Sequence, residues 1–449
     1  MTILSLLVGA ALLSGLGCGG DGSAGGDGGG SGDGAIAADA GLDGSASDGS
    51  GLDGSASDGS ALDGAASDGS ALDGSASDGS ASDGAALDGA ASDGGAVIPA
   101  TPLLAAGRAH ACVGVSGEVF CWGANDSGQL GDGTNVDSLT AVPVGLTGVV
   151  ELVAAGDHSC ARLTSGDVYC WGEGSEGELG TGQTRDQNTP TLVAAGLPAL
   201  QVAVGGGVVN GEIAHEGLIC LRSSAGALRC AGSNTTDALL TGDARRRSTP
   251  LLLGGLPAFV DVAVGIRHVC GLDTDGQVWC WGGDAYLQLF DIRTPPAIVG
   301  GLSGVTAIEA SGGQTCALRG DGAVACWGKD MREVSPARMI IESSPPGFTP
   351  SEVTIGIAVG AAHACGMLGS GRVECWGANE SGQLGLGTLA AEPSPAATSV
   401  LNAVSIAAGE AFTIVALADG RLMAWGSNGS GQLGDGTVMD RLVPTMVLF

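Results

Sequence analysis

Between residues 99 and 449, short apolar runs alternate with glycine-rich polar turns, the texture of β-strands and hairpins rather than of helices. Val149-Val150-Glu151-Leu152-Val153-Ala154-Ala155-Gly156 and Val260-Asp261-Val262-Ala263-Val264-Gly265 read as short strands. Each is followed by a hairpin with a turn such as Ser165-Gly166-Asp167 or Asp275-Gly276. Later in the unit comes Gly-Gln-Leu-Gly-Asp-Gly-Thr at 128–134 and 431–437, or Gly-Gln-Leu-Gly-Leu-Gly-Thr at 382–388. A Pro-led strand then closes it, as at Pro143-Val144-Gly145-Leu146 and Pro250-Leu251-Leu252-Leu253.

The unit repeats. Aligned on Cys-Trp-Gly, it places Trp122, Trp171, Trp281, Trp327, Trp376 and Trp425 in register, with Ala231 standing where the third tryptophan would fall. Successive spacings are 49, 60, 50, 46, 49 and 49 residues. A unit of this length cannot bury its own apolar face, so its neighbours must cover it, as in propellers and solenoids. Four short strands in each of seven units predict an all-β fold, a seven-bladed β-propeller over 99–449. The tryptophans are expected to pack between blades. Repeat one opens on Val97-Ile98-Pro99 without a Pro-led strand before it, while Val443-Pro444-Thr445-Met446-Val447-Leu448 ends the chain. The ring is therefore expected to close by strand exchange, the last element completing the first blade.

The first 98 residues read differently. An apolar stretch from Ile3 to Leu16 ends in Gly15-Leu16-Gly17-Cys18. It resembles a bacterial lipoprotein signal, which implies cleavage and lipidation at Cys18 and assigns 1–18 as the signal segment; an ordinary secretory signal or a misassigned start is the alternative. Residues 19–98 are low-complexity, with an aspartate every five residues from Asp43 to Asp93. So few large apolar side chains cannot offset the entropy of ordering a backbone, and a disordered Asp/Gly/Ser/Ala linker is expected. The alternating oxygen ligands and closing Glu of a calcium loop are absent.

Charge narrows the function classes. The chain carries 48 acidic against 17 basic side chains, a net −31, and the segment 99–449 alone has 33 acids against 17 bases. A nucleic-acid binder needs a basic footprint, so none is expected. No apolar run reaches the roughly 18 residues that span a bilayer, so membrane contact is expected only through the N-terminal lipid.

The Gly-and-His start, the hairpin, Trp-Gly and Gly-Gln-Leu-Gly together resemble the regulator-of-chromosome-condensation repeat, clearest in repeats one, two, six and seven. The founding member is a guanine-nucleotide exchange factor that docks on chromatin, and no motif here carries its exchange loops residue by residue. The repeat also looks like that of secreted bacterial β-lactamase-inhibitor propellers, which implies a protein-binding task.

Twelve of the thirteen cysteines fall in pairs across the predicted hairpins: Cys112/Cys121, Cys160/Cys170, Cys220/Cys230, Cys270/Cys280, Cys316/Cys326 and Cys365/Cys375. Opposed positions on antiparallel strands lie within disulfide reach, whereas zinc uses close Cys knuckles, so six disulfides and no metal are expected. Repeat seven has Ile414 and Ala424 at the paired places. His110, His158, His268 and His363 sit two residues before the first Cys of their repeats, which reads as a structural role on blade backbone groups. His215 breaks that pattern. Residues 205–219 lengthen repeat three, 329–352 replace half of repeat five, and Arg245-Arg246-Arg247 is a basic cluster on an acidic domain. Such variable loops on a rigid scaffold make His215, Arg245, Arg246 and Arg247 the candidate partner-binding residues. No catalytic triad or phosphate loop is visible, so no enzyme and no cofactor is expected. These readings combine into an exported, lipid-anchored bacterial envelope protein at the outer membrane, in the periplasm or on the cell surface. It acts as a monomer and binds a protein or an envelope polymer. The alternatives are an exchange factor-like regulator and an extracellular hydrolase.

Overall fold

Alternating burial along each apolar run settles the strands into seven antiparallel four-stranded sheets, each paired in simple chain order. The computed structural model describes residues 101–194, 196–209, 212–283, 296–328, 341–343 and 352–449, without the side chains of 208–215 and 341–343. Blade 1 runs from an inner strand, Leu103–Ala106, through His110–Val115 and Glu118–Gly123 to an outer strand, Ser138–Pro143. Blades 2 to 7 span 149–192, 201–252, 259–298, 305–343, 354–397 and 403–446. The chain is an all-β, seven-bladed propeller built of repeats. Signal segment 1–18, Cys18 and linker 19–98 lie outside the described residues.

The core sits between blades and not within them. One cluster joins Ala111, Val113 and Trp122 of blade 1 to Phe412, Ile414 and Leu433 of blade 7. Another joins Val119 and Leu130 of blade 1 to Leu152 and Trp171 of blade 2. The pattern continues around the ring, which is why a single 49-residue unit has no core of its own. Each of the six aligned tryptophans is buried in such a seam. The glycine after it is required: Gly123 has φ +106°, and a side chain there would strike the Ala109 carbonyl at 2.5 Å.

Within each hairpin the paired cysteines face one another directly, Cys112 opposite Cys121 and Cys160 opposite Cys170, with Cα–Cα distances of 4.1 Å. The same register sets Cys220 opposite Cys230, Cys270 opposite Cys280, Cys316 opposite Cys326 and Cys365 opposite Cys375. All six pairs are joined, with S–S separations of 2.05–2.11 Å. The bridges belong to the buried seams and not to a binding surface. Cys230 packs with Val264 and Trp281 of the next blade, Cys280 with Ile308 and Trp327, and Cys326 with Val359 and Trp376. In blade 7, Ile414 faces Ala424 and the two fill the same space with apolar atoms.

Two details differ from the sequence reading. The closing strands begin before their prolines: Pro143 ends its strand, and Pro250 is the fourth residue of Arg247–Leu252. Both strands are sheet edges, where a missing N–H costs nothing. The ring also does not close by strand exchange. Arg441–Met446 pairs with Leu422–Gly426 of its own blade, and blade 1 supplies all four of its strands. Leu103–Ala106 already serves as the first blade's inner strand, so no vacancy is left for the chain's end. Closure is made by packing instead. Val447 enters the seam between blades 7 and 1, and Phe449 meets Phe120 edge-on at 5.1 Å.

Candidate partner-binding face

Antiparallel chain order places the inner-to-second turn and the third-to-outer loop of every blade at the same end of the ring. Hydrogen bonds join the two, as in Ala124 N–H to the Ala109 carbonyl at 2.8 Å and Glu173 N–H to the Asp157 carbonyl at 2.8 Å. Both irregular features with described backbone open on this face. In blade 3 the inner and second strands, Gln201–Val209 and Glu212–Arg222, are 9 and 11 residues long, where the matching pair in blade 4 has 6 each. Beyond a register shift between Ala214 and Leu218, this hairpin continues past the length its neighbours reach.

The third-to-outer loops are held by a buried asparagine. Asn125 accepts the Leu130 N–H at 2.9 Å and donates to the carbonyls of Thr134 and Val136 at 3.2 and 3.1 Å. Asn379 and Asn428 repeat the arrangement. The loop then leans on the next blade, whose tryptophan donates to its glutamine carbonyl: Trp171 to Gln129 and Trp425 to Gln383, each at 2.9 Å. In blade 2 the glutamine is replaced by Glu178, fully buried against Gly217. One carboxyl oxygen accepts the Glu176 N–H at 2.8 Å, and Oε1 has no partner. Burial, with Glu173 and Glu176 nearby, pushes this carboxyl up to about 7.

The structure separates the three clustered arginines. Arg247 pairs with Asp243 at 3.0 Å and holds that carboxyl down at about 2. Arg246 pairs with Glu176 of blade 2 at 2.8 Å. Arg245 extends into solvent with no side-chain partner among the described residues. Among the described residues the cluster is thus one free cation and two paired ones. The side chain of His215 and most of 329–352 lie outside the described residues.

Three of the four repeat histidines bridge blades through side chains and not through backbone groups, while His158 Nε2 has no partner among the described residues. His110 Nε2 lies 2.8 Å from Ser159 Oγ, His268 2.7 Å from Thr315 Oγ1 and His363 3.0 Å from Thr413 Oγ1. Burial pulls His110 down to about 3 and the others to about 4, so all are neutral at pH 7. No Cβ fits at Gly107, Gly265 or Gly360, because the imidazole lies over that position.

Sequence reasoning did not identify the acids that line the central channel. The inner strands enclose a cavity of about 410 Å³, into which Glu151, Gln201, Asp261 and Glu309 project from blades 2 to 5. Glu151 is tied to Arg162 at 2.5 Å and to the Val202 N–H at 3.2 Å, and burial raises it. Asp261 accepts from Gln201 at 2.6 Å and from the Ile308 N–H at 2.9 Å, so it links three blades. Glu309 stands open to the lumen while ringed by protein; enclosure and the Asp261 charge push it up to about 8, and lumen exposure acts the other way. An acid inside an otherwise apolar strand was the available signal. Among the described residues no three His, Cys, Asp or Glu side chains are grouped to hold a metal ion.

Comparison with known proteins places this architecture. The regulator of chromosome condensation (RCC1) repeat matches residues 116–163, 165–209, 370–416 and 419–449, and a second model of the same repeat matches 149–178, 259–288, 355–383 and 403–432. The chain is a repeat protein of the RCC1 type with the RCC1 fold. No curated protein matches its sequence. The structure of Prp20p from Saccharomyces cerevisiae, described with its binding to Gsp1p and histones, is similar at 19% identity and a TM-score of 0.63, over 78% of this chain and 87% of that one. Yeast RCC1 (Prp20) bound by Kap60 is similar at 19% identity and 0.62, over 79% and 86%. Human WBSCR16 is similar at 22% identity and 0.58, over 68% and 84%.

These findings overturn part of the sequence reading. A bacterial lipoprotein of the cell envelope, exported behind a signal peptide and anchored by lipid, was expected to bind a protein or envelope polymer and no nucleic acid. The propeller instead shares its fold with a protein that binds Gsp1p and histones. The expectation leaned on residues 1–98 and on net charge, and neither describes the face of the ring.

Proposed function

We propose that the protein is an exchange factor-like regulator that binds a protein partner across the face bearing the blade 3 hairpin. One observation carries the reading: the 9- and 11-residue strands of that hairpin are longer than the 6-residue pair of blade 4. A hairpin held by a disulfide-joined blade keeps its shape against a partner, so little ordering entropy is lost on docking. Prp20p, of the same fold, is described with binding to Gsp1p and histones, and this supports a protein partner over a small-molecule one. In this reading the six disulfides hold the blades rigid, and 19–98 is a solvated spacer of roughly 50 Å r.m.s. span. The test is release of fluorescent GDP from small GTPases, Gsp1p included. Acceleration by the full chain is expected; unchanged release across the set overturns the exchange reading.

A further inference from the structure

The third-to-outer loops share a scaffold but differ at one place, just before the outer strand. The glycine after each aligned tryptophan, or after Ala231 in blade 3, faces a fixed outer-strand position: Ser138, Gln187, Arg247, Glu392 and Arg441 in blades 1, 2, 3, 6 and 7. Two or three residues earlier stand Val136 in blade 1, Leu389 in blade 6, and Val438 and Met439 in blade 7. All four are exposed, Val136 at 70%. In blades 2 and 3 the same place holds Arg185 and Arg245.

Isolated exposed apolar side chains are ordinary on a protein surface. These recur within two adjacent repeat positions on three consecutive blades, 6, 7 and 1, and Arg185 and Arg245 hold the second of those positions on the next two. The arc is also tied laterally. Asn188 of blade 2 donates to Asn135 of blade 1 at 3.1 Å, and Arg246 of blade 3 reaches Glu176 of blade 2.

Arg185 and Arg245 are exposed and meet no carboxylate among the described residues. Arg108, Arg162, Arg372 and Arg441 each meet a carboxylate. Among the described residues Arg185 donates only to Gln183, at 2.6 Å, and Arg245 has no side-chain partner. The acid beside Arg185 does not pair with it: Asp186 turns inward to accept the Gly174 N–H at 3.0 Å. Asp137 and Asp440 turn inward likewise, to Asn125 and Asn428. In a domain with 33 acids to 17 bases, two exposed guanidinium groups without a carboxylate mark a place kept for an outside anion.

We propose that this arc docks an acidic amphipathic segment of a protein partner. Its apolar side chains lie over Leu389, Met439 and Val136, and its carboxylates meet Arg185 and Arg245. The proposal rests on the protein-binding reading above and adds the chemistry of what is bound.

The test uses the full chain and a fluorescein-labelled amphipathic peptide of Leu and Glu, with a Leu/Lys peptide of the same pattern as control, read by anisotropy. The Leu/Glu peptide should bind, more weakly as salt rises. Arg185→Glu with Arg245→Glu should weaken it at least tenfold, and Val136→Ser with Met439→Ser several-fold, with unchanged melting temperature. Equal or tighter binding of the Leu/Lys peptide, or indifference of the Leu/Glu peptide to both double variants, overturns the proposal. The two readings fail separately. Peptide docking without nucleotide release removes the exchange activity and leaves the arc; release without docking removes the arc.

Discussion

The indole of Trp122 donates to the carbonyl of Gln432, 310 residues further along the chain, at 2.9 Å. The bond that joins Trp171 to Gln129 has the same length, so the seam between the last blade and the first is built like that between blades 1 and 2.

Trp376 sits in the same place with no acceptor for its indole N–H among the described residues, and the sequence of blade 5 lacks the Gly-Gln-Leu-Gly segment. Trp→Phe at 122 or 171 removes a donor from a buried carbonyl, which costs about 1–3 kcal/mol beyond the lost ring area. At 376 that part of the cost is absent. Denaturant unfolding of the three variants should rank Trp376→Phe as the mildest; equal losses would mean the bond contributes nothing.

The chain's end should act as a plug. Deleting Val447–Phe449 uncovers Trp122 and Phe120 at the closing seam. Loss of a buried valine alone costs about 1.5–3 kcal/mol. Calorimetry should show the whole propeller melting earlier in one transition. A change confined to a fraying terminus contradicts closure by packing.

Glu178 makes stability fall with rising pH. Its folded value of about 7 lies above the ordinary 4.5, so the carboxyl is neutral in both states below pH 4.5 and disfavours folding as pH rises through 7. Glu178→Gln restores the amide found in Gln129 and Gln383. The variant should gain on the order of 3 kcal/mol at pH 8 and little at pH 4. A pH-independent difference in melting temperature would contradict the burial argument.

Non-reducing peptide mapping should link each cysteine to its hairpin partner, Cys220 to Cys230, Cys270 to Cys280 and Cys316 to Cys326 among them, with no linkage between blades. Replacing Cys365 by Ile and Cys375 by Ala copies the Ile414/Ala424 pair of blade 7. The lost cross-link closes a loop of about ten residues, worth about 2–3 kcal/mol on the chain-entropy account. Packing of the new pair should return part of it. Linkage across blades would remove the stapled-blade picture.

The blades were legible because Trp spacing and turn glycines are local signals, and each survives in most repeats. Ring closure was not. Val443–Leu448 looks spare only until Leu103–Ala106 is recognised as the inner strand of blade 1. The channel acids were hidden for a related reason, since which side of Asp261 or Glu309 faces the lumen is decided by closing the ring. Arg245, Arg246 and Arg247 read as one basic patch because adjacency in sequence conceals the carboxylates of Asp243 and Glu176. The tip position shared by Arg185 and Val136 was visible in the sequence but carries meaning only once the outer strands are in register.

The proposed regulator role is tested most directly by shortening the blade 3 hairpin to the length of its blade 4 counterpart and measuring GDP release from Gsp1p beside the wild type. Melting of the variant should match the wild type within a few degrees, since the seam residues Leu218, Cys220 and Cys230 are kept. The account predicts that the wild type accelerates release and that the shortened ring loses the acceleration. A shortened ring that folds and accelerates release as well as the wild type would contradict it.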